Sequence, residues 1–289
     1  MDIETTRGAI RDYLDRALAD PAHCDSKTLE AARYMVLNDF SKLYRPLLLL
    51  ATAEGYSVSH GRAMPIAAAI EAIHVSSLIE DDKMDESDTR RGKPACHIVY
   101  GEEIAHLAHM RLREFAEEHI TERNSLSLKQ RNAIARLAFR TGNAMIYGQE
   151  KDVLQRDLDS LEKVLRMYEG KTGALIGAAL ASGGIVGKAC QEDIDNLYSM
   201  GVNMGVSYQI IDDALDSRAS TEETGKPANQ DLKKQTLVKL VGWDEVKRIK
   251  CEKDKEIDRL FATLHGDHSI LGDFVCHLRG KHERFLSSG

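Results

Sequence analysis

The chain has 289 residues, 43% hydrophobic and 29% charged, with a formal net charge of −7. That mixture is globular rather than disordered, and such a length buries a sizeable core. The negative balance excludes nucleic acid as the main partner, because phosphate backbones attract basic surfaces.

Lys42 and Arg45 stand three apart near the start of a predicted helix. An apolar run, Val75-Ser76-Ser77-Leu78-Ile79, leads into the first acidic segment. Between Ala95 and Lys226 there is no proline, which permits long helices. Ser127-Leu128-Lys129-Gln130 reads as a capping box. Behind it Ile134, Leu137, Ala138, Thr141, Met145 and Gly148 recur on one helical face. Asp159-Ser160-Leu161-Glu162 reads as a second box, starting a helix toward Gly170, and Gly183-Gly184 is expected to break the next element. Asp193 to about Ser217 reads as one long helix, and Asp244 to Leu264 as a helix with a solvated charged side. Strand-like alternation is not evident. With no repeat or linker, residues 1–289 read as one domain of about ten to twelve helices.

The five cysteines (Cys24, Cys96, Cys190, Cys251, Cys276) lack metal or redox spacing and read as reduced, partly buried thiols. No run approaches the roughly 18 apolar residues of a membrane helix, and Met1-Asp2-Ile3-Glu4 does not open a secretory signal. The expectation is a cytoplasmic protein, not an integral membrane one.

Two segments carry chemistry: Asp81-Asp82-Lys83-Met84-Asp85 and Asp212-Asp213-Ala214-Leu215-Asp216. Both have the form DDxxD. On a helix Asp81 and Asp85 share a face about 6 Å apart along the axis, as do Asp212 and Asp216. Such carboxylates repel one another, and a hard divalent cation removes the penalty. Magnesium favours carboxylates together with substrate phosphates. Basic residues follow each motif: Arg90, Arg91 and Lys93 after the first, Lys226, Lys233 and Lys234 after the second, with Lys171 between. Such cations bind diphosphates by charge-assisted hydrogen bonds. His106 and His109 have no zinc partner at a suitable spacing and read as surface or interface residues. Met145 and Tyr147 read as packing residues.

The segments SKLYRP, EAIHVSSLIEDDKMDESDTRRGKP, YGQEKD, KTGALIGAA, YQIIDDALD and GKPANQDLKKQT, in this order, resemble the trans-type isoprenyl diphosphate synthases. The match runs from about Lys42 to Thr236. The resemblance implies an all-α, single-domain helical bundle around a deep central cavity, with both acidic motifs at its mouth. It implies condensation of isopentenyl diphosphate with an allylic diphosphate, three magnesium ions with diphosphate bound, and a homodimer. By resemblance Asp81, Asp85 and Asp212 bind magnesium, supported by Asp82, Asp213 and Asp216. Arg90, Lys171 and Lys226 hold the allylic diphosphate. Lys42, Arg45, His74 and Arg91 hold isopentenyl diphosphate. Thr172 and Gln209 turn oxygens toward the allylic cation.

The sequence departs from that pattern in Phe40-Ser41, where the family has glycines, in Glu80, where a histidine is common, and in His109-Met110, where Gly-Asp is common. A class I terpene cyclase needs no isopentenyl site, which Lys42, Arg45, His74 and Arg91 would supply. A non-catalytic partner subunit does not need two intact acidic motifs. Ser76, a little more than one turn before Asp81, is small, so the expected product is geranylgeranyl diphosphate or longer.

Overall fold

A computed structural model describes residues 2–19, 25–155, 158–218 and 237–286. The elements are α1 (Ile3–Ala17), α2 (Lys27–Val36), α3 (Tyr44–Gly55), α4 (His60–Met84), β1 (Thr89–Arg90), β2 (Lys93–Pro94), α5 (Cys96–Tyr100), α6 (Glu102–Thr121) and α7 (Leu128–Leu154). Then come α8 (Leu161–Tyr168), a π-helical turn (Glu169–Gly173), α9 (Ala174–Val186), α10 (Gln191–Arg218), α11 (Leu237–Val241), α12 (Trp243–Phe261) and α13 (Ser269–Leu286).

The capping box before α7 forms as its sequence predicts. The Gln130 amide donates to Ser127 Oγ at 3.3 Å, and the Ser127 amide donates to Gln130 Oε1 at 3.2 Å. The start of α8 differs by one residue: Ser160, not Asp159, accepts from the Lys163 amide, while Asp159 pairs with the Lys163 ammonium. Gly183-Gly184 does not break α9. A Cβ on Gly183 would lie 2.6 Å from the Leu49 carbonyl oxygen, so this glycine permits close approach rather than a turn. Among the described residues the one strand pairing is the two-residue antiparallel ladder β1–β2, too short to leave an alternating pattern. Tyr147 is exposed rather than packed, with the Lys151 ammonium over its ring. Among the described residues Cys96 is buried and free, and Cys190, Cys251 and Cys276 are exposed and free.

The Cα framework divides into two compact units. The first comprises Met1–Leu137, Ser182–Ala189 and Gly266–Leu271. Its centre is α4, which packs against α1, α2, α3, α5 and α6. Ile66, Ile70, Val75 and Ile79 of α4 are almost wholly buried, as are Leu47 to Leu50 of α3. Pro65 lies inside α4 and costs it one backbone hydrogen bond, yet the helix continues for 25 residues. Against expectation, α4 is long and apolar enough by composition to cross a membrane; 78% of that stretch is buried inside the protein, which makes it a core helix.

The second unit comprises Ala138–Ala181, Cys190–His265 and Gly272–Gly289. Its core joins Val164, Met167 and Tyr168 of α8, Val206 and Ile210 of α10, Leu237 of α11, and Val246 and Ile249 of α12. Glycines bring α10 against the segment that carries Lys171. A Cβ on Gly201 would lie 2.6 Å from both the Cα and the amide of Gly177, and one on Gly205 would overlap Gly173.

Candidate active site

The first acidic motif closes α4. Asp81 sits in its last turn and Asp85 is its C-cap, where the negative end of the helix dipole adds to their charge and favours a cation. A tight hairpin then turns the chain back. Arg91 and Gly92 between β1 and β2 both have positive φ, 52° and 73°, as a two-residue type I′ connection requires. Arginine is costly there, because its Cβ crowds the left-handed backbone. The turn sends consecutive arginines to different partners. Arg90 donates through both Nε and Nη2 to one oxygen of Asp82, and its Nη2 lies 3.7 Å from Asp81 Oδ2. Arg91 Nη2 lies 3.4 Å from His74 Nε2.

Asp82 is fully buried, and its second oxygen accepts no hydrogen bond. Burial pushes its carboxyl above the usual range, although the Arg90 guanidinium opposes the shift. An orphaned buried carboxylate oxygen between acidic neighbours suits a hard divalent cation, as do the carboxylates of Asp81 and Asp85. His74 is held well below its ordinary value by burial, with Arg45, Arg91 and Arg90 acting in the same sense, so it is neutral near pH 7.

Lys42 and Arg45 flank the start of α3. Lys42 is exposed, its ammonium 5.7 Å from the centre of the Tyr44 ring. The loop that carries it lacks the family's glycines and is fixed by other means. Leu43 takes the left-handed conformation, φ 50°, and arginines of α1 tie down the carbonyls. Arg7 donates to Lys42 O, and Arg11 donates to Asp39 O and Ser41 O. Glu80 and His109 are also accounted for. Glu80 pairs with His106 at 3.0 Å, and His109 Nδ1 donates to the Ser76 carbonyl at 2.9 Å. Ser76 itself is buried, its hydroxyl turned back onto Ile73 O.

In the second unit Lys171 and Thr172 lie on the π-helical turn, a local widening common at functional sites. Gly148 makes room for it: a Cβ there would overlap the Lys171 amide. Lys171 Nζ meets Asp152 Oδ2 at 2.5 Å. The Thr172 hydroxyl donates to Gln209 Oε1 at 2.9 Å, and Gln209 Nε2 donates to Asp213 Oδ1 at 3.2 Å. The Tyr168 hydroxyl donates to the other oxygen of Asp213 and accepts from the Leu237 amide. Burial and the Asp213 charge push the Tyr168 phenol far up, so it stays a donor. Asp212, next to Asp213 in the chain, is half-buried. The side chain of Asp216 lies outside the described residues, as do Lys226, Lys233 and Lys234.

Three partners escaped the sequence reading: Asp152, Tyr168 and the buried Glu71. Asp152 closes the YGQEKD segment and Glu71 opens the EAIHVSSLIEDDKMDESDTRRGKP segment, which were the available signals; Tyr168 gave none.

The sequence pattern of the polyprenyl synthetase family matches residues 26–261. Geranylgeranyl pyrophosphate synthase 7 of Arabidopsis thaliana is 36% identical over 270 residues, 89% of this chain and 76% of that protein. The chain spans as little as 61% of the length of other curated relatives. Among solved structures, a geranyltranstransferase of Thermotoga maritima covers all of both chains with a TM-score of 0.82 at 27% identity. A geranyltransferase of Helicobacter pylori, complexed with magnesium and isoprenyl diphosphate, gives 0.82 at 26% identity over 96% of this chain and 95% of that one. The all-helical isoprenoid-synthase fold and the match over most of the sequence place this chain in the polyprenyl synthetase family of trans-prenyltransferases.

Proposed function

We propose that the chain condenses isopentenyl diphosphate with dimethylallyl, geranyl or farnesyl diphosphate in a magnesium-dependent reaction. The end of α4 carries this reading: Asp81 and Asp85 close the helix, and the following hairpin returns Arg90 to Asp82 and Arg91 to His74. Asp81, Asp85 and Asp212, with Asp82, Asp213 and Asp216 in support, would hold magnesium, and the ion would supply positive charge to neutralise the departing diphosphate. The likeness to a protein complexed with magnesium and isoprenyl diphosphate supports that choice of ion.

Arg90, Lys171 and Lys226 bind the allylic diphosphate and take up its charge as the carbon–oxygen bond breaks. Thr172 and Gln209 present oxygen dipoles to the allylic cation in place of water, which would quench it. Lys42, Arg45, neutral His74 and Arg91 orient isopentenyl diphosphate. Its double bond supplies the electron pair of the new carbon–carbon bond, and the departed diphosphate takes the proton lost. No side-chain base is required. The product is geranylgeranyl diphosphate or longer, because Ser76, a little more than one turn before Asp81, carries a small side chain rather than a bulky ring. The enzyme works as a homodimer; the exposed apolar side chains Ile98, Val99, Leu107 and Met110 on α5 and α6 support that assembly.

The test is condensation of labelled isopentenyl diphosphate with each primer, followed by chromatography of the dephosphorylated products. Asp81→Ala and Asp212→Ala should lower turnover by several orders of magnitude at saturating magnesium while the helical spectrum persists. Near-normal rates in either would overturn the metal assignment. Ser76→Phe should shorten the product, and a wild-type enzyme that stops at farnesyl diphosphate would refute the length.

A further inference from the structure

Cys190, Asp193 and His265 meet at the N-terminus of α10, inside the second unit. Cys190 immediately precedes the helix and caps it. Its carbonyl accepts from the Ile194 amide at 3.1 Å, and its Sγ accepts from the Asp193 amide at 3.5 Å. Asp193, in the first turn, is 1% exposed. His265 comes from the loop between α12 and α13 and reaches Asp193 across 72 positions. Its amide donates to both carboxylate oxygens at 3.4 Å, and its Nδ1 lies 3.0 Å from Asp193 Oδ1. Asn196 Nδ2 donates to Thr263 Oγ1 at 3.0 Å and fastens the same loop about one turn further along α10. One sulfur, one carboxylate oxygen and one imidazole nitrogen are thereby held within 4.8 Å of one another. Neither a helix cap nor an ion pair requires that convergence.

We propose that Cys190, Asp193 and His265 form a zinc site, with water as the fourth ligand, that ties the start of α10 to the loop before α13. Tetrahedral zinc, with bonds of about 2.0–2.3 Å, sets its ligands roughly 3.3–3.8 Å apart, so shifts of about 1 Å complete the geometry. The charges also match. A thiolate and a carboxylate supply two negative charges and a neutral imidazole none, against the two positive charges of the ion. Sulfur and nitrogen select the metal: magnesium takes oxygen ligands, whereas zinc accepts all three donor types. This site is therefore chemically distinct from the acidic motifs, and it does not depend on the proposed prenyl transfer. Cys190 and His265 are exposed and leave the metal a path of entry, while buried Asp193 fixes the floor. Asp193 raises His265 above its ordinary value, by hydrogen bond and by charge, so positive charge is favoured at this ring. Zinc takes the place of that proton, which passes to solvent together with the thiol proton.

The test titrates the full chain, freed of metal by chelation and kept reduced, with zinc and with cobalt as a coloured substitute. Excess magnesium keeps the acidic motifs occupied throughout. Cobalt should give the near-ultraviolet charge-transfer absorption of a cobalt–thiolate bond, and zinc should abolish it by displacement. Zinc should also raise the melting temperature, because a ligand bound only by the folded chain stabilises it. Cys190→Ser should remove both the absorption and the shift, and it still folds because serine is itself a good N-cap. His265→Ala keeps the backbone amide that holds Asp193. It should weaken zinc binding about a hundredfold or more, since even partners behind a metal's ligands are worth about 10–100-fold. Absence of the absorption in the wild type, or its survival in Cys190→Ser, would overturn the site. So would a zinc affinity unchanged in His265→Ala.

Discussion

Asp213 is held from two sides, by the Tyr168 hydroxyl and by the Gln209 amide, so its carboxylate has little freedom to rotate. Tyr168→Phe removes one donor from that carboxylate and the acceptor of the Leu237 amide in a buried place. The expected cost is about 1–3 kcal/mol of stability, read as a lower melting temperature, together with weaker magnesium binding in titration. A variant that melts like wild type would show that the hydroxyl carries no weight. His74 gives a pH dependence. Burial and three arginines hold its folded-state value well below the ordinary one, so below about pH 6.5 the unfolded chain binds more protons than the folded one. Stability therefore rises with pH through that range; the contribution is present above about 6.5 and lost as pH falls below it. His119 is shifted the same way, by burial. Urea midpoints on either side of that pH should fall less on acidification for His74→Gln than for wild type, and an equal fall would count against the assignment.

Glycine has two separate meanings among these helices. On α1, Gly8 has open space where a Cβ would go, so Gly8→Ala should stabilise by about 0.5–1 kcal/mol through backbone entropy alone. On α10, Gly201 and Gly205 face Gly177 and Gly173 at backbone contact, where a methyl has nowhere to go. Gly201→Ala should cost about 1–3 kcal/mol or more and lower activity as well, because α10 carries Gln209 and Asp212. Thermal melts of the two variants should move in opposite directions. Matching shifts would mean that the close approach is unimportant. The same contact explains why Gly183-Gly184 reads misleadingly in sequence: a glycine that relieves crowding and one that ends a helix look identical until the neighbouring helix is known.

For the molecule as a whole, the proposed homodimer makes the apolar side chains of α5 and α6 a testable surface. Leu107 is 46% and Met110 48% exposed, high for side chains with no solvent role. Leu107→Glu with Met110→Glu should convert a dimer to monomers in sedimentation equilibrium, since each carboxylate is costly to bury unpaired. An unchanged mass would place the interface elsewhere. What the sequence alone determined is local. The DDxxD spacing puts Asp81 with Asp85, and the Ser127–Gln130 box starts α7, because residues three or four apart are neighbours on any helix. The long helices α6, α7 and α10 are permitted by the absence of proline between Ala95 and Lys226, and the family follows from ordered motifs. What only the tertiary structure decided lies between elements distant in sequence. Tyr168 reaches Asp213 across 45 positions and Ser41 reaches Glu71 across 30. Neither pairing leaves a periodic trace in the chain, because which side chains meet is set by how helices pack, and packing depends on the shapes of many residues at once.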